Sequence, residues 1–270
     1  MASLSRLFIS MLVVLTLAAC AGMPPPDESS QTLQAAQRPQ FQNTPVSPRT
    51  RAEARTALAL GYYERGQFDV ALEELDEAKK IDDRYAMIYN GYGLVYSYLK
   101  DDAKAGSNFQ RAIELDPNNP EIRHNWGWFL CTSGKARESL AEFNRVALDP
   151  LYKTPEIAFT NAGRCALSIN DKAVARQYLG RALSVRPDYP QAAYSLAELA
   201  YGEGQWDEAR TMMRTVMKNP MPTADALLLG ACIERKLNDK KAEDSYVLQL
   251  RNRYPNAEQT QRIAAPGSCP

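Results

Sequence analysis

The feature that most constrains this chain is a recurring ladder of small, aromatic and proline residues. Its clearest copy runs from Ala86 to Asn119, where Gly93, Tyr96, Ala105, Phe109, Ala112 and Pro117 form the spine. Similar ladders recur along the chain at a period of about 34 residues. A repeat of that length holds two short antiparallel helices. Small residues at repeat positions 8 and 20 let the two backbones approach. The bulkier residue at position 24 and the small one at 27 face the next repeat, and the proline at 32 stops the second helix. No single copy buries its apolar face, so copies must stack.

Six copies can be traced. The first, Ala52 to Tyr85, carries Ala59, Tyr62, Gly66, Ala71, Leu75 and Ala78, with Asp83 at the proline position. The third, Pro120 to Lys153, has Trp126-Gly127, Gly134 and Phe143, and its Pro150 falls one place early. Thr154 and Pro155 are a two-residue insertion before the fourth copy, Glu156 to Tyr189, which keeps Gly163, Ala175, Leu179, Ala182 and Pro187. The fifth, Pro190 to Thr223, keeps Ala197, Gly204, Ala209 and Met213. The sixth, about Ala224 to Ala257, is the loosest, and Gly230-Ala231 and Ala242 fit only if the frame slips by one. A degraded last copy suits a terminal cap whose outer face meets water. The ladder resembles the tetratricopeptide repeat (TPR), and the expected fold is all-α, an α-solenoid of about six helix-turn-helix units over residues 51–257.

Ahead of the array, Arg6 and the apolar run Leu7 to Leu17 read as an export signal that ends in Leu17-Ala18-Ala19-Cys20. The run is too short to span a bilayer comfortably. The tetrapeptide resembles a bacterial lipobox, which would remove residues 1–19 and leave Cys20 acylated at the mature amino terminus. The alternative is an ordinary secretory signal with an incidental cysteine. By resemblance to sorted lipoproteins, Ala21 in place of an aspartate favours the outer membrane. Residues 20–50, rich in Pro, Gln and Ser, read as a flexible tether. Residues 258–270 read as a short polar tail.

Lys plus Arg equals Asp plus Glu at 32 each, so no bulk charge draws the chain to nucleic acid. Catalysis has little support: His124 is the one histidine, and no metal-ligand spacing, phosphate loop or nucleophile elbow is present. No cofactor is expected. Besides Cys20, the cysteines are Cys131, Cys165, Cys232 and Cys269, which allow three pairings. Cys131 and Cys165 lie one repeat apart on neighbouring parallel helices, which favours a disulfide over two buried free thiols. A Cys232 to Cys269 bond would tie the tail to the sixth repeat.

Function is expected on the concave wall, which positions 2, 5, 9, 12 and 13 of each first helix should face. These positions hold Leu60, Tyr63, Met87, Asn90, Leu94, Tyr98, His124 and Trp128, with Tyr194 and Tyr201 in the fifth repeat. Apolar and aromatic side chains there suit capture of a partner segment, with burial inside the stack as the alternative for any one of them.

Three strings then carry a more specific resemblance: Asn125-Trp126-Gly127-Trp128-Phe129-Leu130-Cys131, Asp149-Pro150-Leu151-Tyr152-Lys153-Thr154-Pro155, and Asn161-Ala162-Gly163-Arg164-Cys165. With the lipobox and the array, they resemble the PilF/PilW pilotin lipoproteins of type IV pilus biogenesis and stability. The tail ending in Cys269 departs from that pattern. The resemblance implies an outer-membrane lipoprotein facing the periplasm. It also implies a secretin subunit as partner, contacted by the first two repeats and helped to localise and assemble. A competing reading is a lipoprotein scaffold for cell-wall synthesis or another envelope machine.

Overall fold

A computed structural model describes residues 45–263 and Cys269. The expected signal peptide, the acylated Cys20 and the tether as far as Thr44 lie outside the described residues. The described part is all-helical, and six antiparallel helix pairs follow one another in order. The pairs are α1 (Pro48–Glu64) with α2 (Phe68–Ile81), α3 (Ala86–Tyr98) with α4 (Asp102–Leu115), and α5 (Pro120–Thr132) with α6 (Ala136–Ala147). They continue with α7 (Pro155–Ser168) and α8 (Lys172–Val185), α9 (Pro190–Gly202) and α10 (Trp206–Val216), and α11 (Ala224–Lys236) and α12 (Lys240–Arg253). A short α13 (Glu258–Arg262) follows.

Local chemistry sets the boundaries. Ser47 caps α1, its Oγ accepting from the Thr50 amide at 3.0 Å, and Pro48 supplies the first-turn residue that needs no donor. The array therefore begins three residues before the expected boundary at 51. Asp101, Asp171 and Asp239 cap the second helices of the even pairs in the same way. Each turn inside a pair carries one residue with positive φ: Gly66, Lys100, Gly134, Asn170, Gly204 and Asn238. These recur every 34 residues, with 36 across the Thr154-Pro155 insertion. The turn therefore demands a left-handed residue whatever the side chain, and glycine or asparagine supplies it at least cost in most copies.

Packing follows the ladder. Leu75, Phe109, Phe143, Leu179 and Met213, the position-24 residues, are all fully buried. Opposite Phe109, Phe143 and Leu179 lies a glycine on the paired first helix, and Gly91 of α3 lies against Leu75. A Cβ at Gly93 would sit 2.7 Å from the Phe109 ring, and one at Gly163 would sit 2.6 Å from Leu179. In the sixth pair the same relation links Gly230 to Tyr246, at 2.6 Å, which is the one-residue slip seen in the sequence.

The tail is more than a polar extension. α13 occupies the place where a seventh first helix would begin, packs on α11 and α12, and buries Ile263. Cys232 and Cys269 are joined by a disulfide with Cα atoms 5.5 Å apart. Glycine-poor and only five residues long, α13 stands in for a missing repeat and covers apolar surface that would otherwise meet water.

Candidate protein-binding groove

The first helices α1, α3, α5, α7, α9 and α11 line the inner wall of the stack, so the residues at repeat position 9 form a column. In chain order it reads Leu60, Leu94, Trp128, Arg164 and Glu198 over the first five pairs. Leu60, Met87 and Leu94 are half-buried, and Leu94 leans on the cluster of Phe109, Phe129 and Trp126. Trp128 is 37% exposed, and the Arg164 guanidinium lies over its ring, 5.6 Å from the centroid. Tyr63 and Tyr98 meet around Phe68 at the rim, with ring centroids 6.0 Å and 4.2 Å from it. Tyr98 remains 60% exposed.

In the first four repeats position 5 does not face the groove, which corrects part of the expectation; in the fifth, Tyr194 at this position lines a cleft. Asn90 is fully buried, and its Oδ1 accepts from Asn125 Nδ2 of the next repeat at 3.1 Å. His124 occupies the same place one repeat on. It sits between the Phe143 and Tyr152 rings, at 5.5 and 5.8 Å, and shares a 3.0 Å hydrogen bond with Asn161. Thr56 and Thr160 at this position are buried too, each bonding a carbonyl of its own helix. The physical reason is geometric: neighbouring first helices touch along this line, so position 5 lies at the junction of repeats, and Asn90 and His124 bond across it. Tyr201 is also interior, its ring 5.0 Å from Trp206, and its hydroxyl finds no partner among the described residues.

Burial holds the His124 imidazole below its ordinary value. The unfolded chain therefore takes up a proton that the folded chain resists. Stability should be fullest above the ordinary imidazole value and should fall as pH drops through it. A His124→Gln variant should lose that component, which urea unfolding at pH 7.5 and pH 5.5 measures directly.

Cys131 and Cys165 are joined by a disulfide, with Cα atoms 5.7 Å apart, and the bond ties α5 to α7. Beyond it the groove opens into a cleft of about 480 Å³ lined by Arg164, Gln191, Tyr194, Glu198, Asn219 and Asp225, among others. Tyr194 was placed in the groove by the repeat spacing, whereas Arg164, Gln191 and Glu198 were not singled out. The signal was available, because they occupy positions 9, 2 and 9 of their repeats. Desolvation by the cleft walls pushes the Glu198 carboxyl up; the neighbouring Tyr194 hydroxyl and Arg164 oppose the shift, while Asp225 adds to it.

Among the described residues no group of three or more His, Cys, Asp or Glu side chains is arranged to hold a metal ion. No helix among them is long and apolar enough to cross a membrane.

Stacked helix pairs with a continuous inner groove define a tetratricopeptide-repeat protein, a scaffold class that binds other proteins. Tetratricopeptide-repeat models match residues 56–120 and 170–229. The crystal structure of PilW, a widely conserved type IV pilus biogenesis factor, superposes with a TM-score of 0.71 and 31% identity, over 79% of this chain and 98% of that one. A PilF structure from Pseudomonas aeruginosa superposes with a TM-score of 0.70 and 26% identity, over 80% and 98%. The type IV pilus assembly protein PilF of Pseudomonas aeruginosa is 28% identical over 227 residues, 83% of this chain and 90% of that protein. The chain belongs to this PilF/PilW family of tetratricopeptide-repeat proteins of type IV pilus biogenesis.

Proposed function

We propose that this protein is a pilotin: an acylated scaffold that holds a secretin subunit in its groove and promotes assembly of the outer-membrane ring through which the pilus emerges. The observation that carries the reading is family membership over the whole array, since the likeness to PilW extends over 98% of that chain. The groove supports it, because Leu60, Leu94 and Trp128 offer a row of apolar anchors open to a partner segment. The Leu17-Ala18-Ala19-Cys20 motif supports attachment to the membrane. Two acyl chains would suffice for stable anchoring, at about 0.8 kcal/mol per buried methylene. The proposal has the protein acting by binding, with no reaction of its own.

A strain lacking the protein should leave its secretin monomeric or misplaced. Replacing Leu60, Tyr63 and Leu94 together by charged residues should have the same effect while the circular dichroism spectrum stays helical. Heat-stable secretin rings present at normal level in the outer membrane of the deletion strain would rule the pilotin reading out. Rings that survive the triple replacement would move the contact elsewhere on the protein. Recovery of peptidoglycan enzymes without secretin in a membrane pull-down would favour a cell-wall scaffold instead.

A further inference from the structure

The column of position-9 residues changes character along the groove. It is apolar at Leu60 and Leu94, aromatic at Trp128, cationic at Arg164 and anionic at Glu198. The cleft beyond Arg164 repeats the anionic theme with Asp225, on the first turn of α11. We propose that this cleft receives the lysine or arginine side chain of an extended protein segment whose apolar residues lie against Leu94 and Trp128. The inference rests on the reading of the concave face as the partner-binding surface and adds the direction and chemistry of the partner.

Three observations support it. First, the Glu198 and Asp225 carboxylates line one cleft together with the neutral Tyr194, and Gln259 Nε2 donates to Asp225 Oδ1 at 2.7 Å. A carboxylate accepts about four hydrogen bonds, so each retains capacity for a cation. Second, the cleft walls desolvate Glu198 and set it beside Asp225, so an entering cation relieves both the burial and the mutual repulsion. A neutral donor would relieve part of the burial but not the repulsion, and an acidic side chain would relieve neither. Third, Arg164 stands on the Trp128 ring at the border. Arg164 also lines the cleft and acts on Glu198, so its charge disfavours a base beside Trp128 and leaves the Asp225 side of the cleft as the favourable place, which gives the segment one orientation.

The spacing follows. Trp128 and Glu198 lie on α5 and α9, two first-helix steps apart, and neighbouring helices pack about 8–10 Å from axis to axis. A segment rising about 3.3 Å per residue covers that span in roughly five or six residues.

The test is selection from a randomised synthetic decapeptide library on the immobilised chain, with the retained peptides sequenced. The same selection runs on a Glu198→Gln/Asp225→Asn double variant whose thermal unfolding matches the parent. Lysine and arginine should be enriched at least fivefold over the input, about five or six positions from an apolar residue. In the double variant the basic enrichment should vanish and the apolar enrichment should remain. Apolar enrichment without basic enrichment, or basic enrichment unchanged in the double variant, overturns the inference and leaves the groove reading intact. A selection that retains no peptide overturns both. N-acetylarginine amide binding as tightly as a selected peptide would make the cleft a small-cation site and overturn the assignment to a protein segment. None of these outcomes depends on acylation or on a secretin, so they are separable from failure of the pilotin proposal.

Discussion

Phe109→Ala should lower the unfolding free energy by about 3 to 5 kcal/mol, the range for deleting a fully buried aromatic ring. Phe109 has no exposed surface, and its ring packs on Phe129 and Trp126 at 5.5 and 6.2 Å. Gly93 approaches the same ring so closely that a Cβ there would stand 2.7 Å from it, so the backbone is already as near as it can come. The helices cannot collapse into the space without moving the next repeat, and a cavity persists. Because each repeat contacts only its neighbours, the loss should concentrate in the second and third pairs. Urea unfolding measures the total, and hydrogen exchange should show α3 to α6 opening first. A shift under about 1 kcal/mol would mean that Phe109 is not the pivot of its junction.

Removing the Cys131–Cys165 bond should cost about 3 to 4 kcal/mol in the chain-entropy account, in which a crosslink restricts the unfolded chain. The bond spans 34 residues and ties the first helices of adjacent repeats. A Cys131→Ala/Cys165→Ala variant should melt lower than the parent under oxidising conditions. Addition of a thiol reductant should bring the parent down towards the variant. The Cys232–Cys269 bond must be left out of the comparison by carrying Cys232→Ala/Cys269→Ala in both proteins. An unchanged melting temperature in the variant would refute the crosslink's contribution. The position matters as well as the size, because the bond lies where the apolar half of the groove gives way to the Arg164 and Glu198 half. Loosening it should change the distance between the two halves, which a partner held at both ends would register as weaker binding.

The architecture was readable because its determinants are local and repeated. Small residues opposite one large residue, a left-handed turn every 34 residues and a stop at the helix end leave few packings open to the chain. The groove was readable in part. Leu60, Met87, Leu94 and Trp128 lie on the inner wall because their phase on the helix puts them there. Asn90, His124 and Tyr201 share nearly the same phase, yet Asn90 and Tyr201 are buried and His124 is half-buried between rings, because the contact between successive first helices covers their line. Helical phase names a face of one helix; it does not say how wide a strip of that face the next helix hides.

The tail shows the same division. Its composition marks a polar extension, yet α13 continues the stack and Ile263 closes it, held by a bond between residues 37 positions apart. The amino-acid sequence alone determined the repeat, the number of helix pairs, the residues at their crossings and the family strings between Asn125 and Cys165. Only the tertiary structure decided which inward-facing residues stay open and that Arg164, Glu198 and Asp225 converge on one cleft. The reason is physical: crossings are set by side chains close together in the repeat, whereas openness and electrostatic company depend on the curvature with which whole repeats stack.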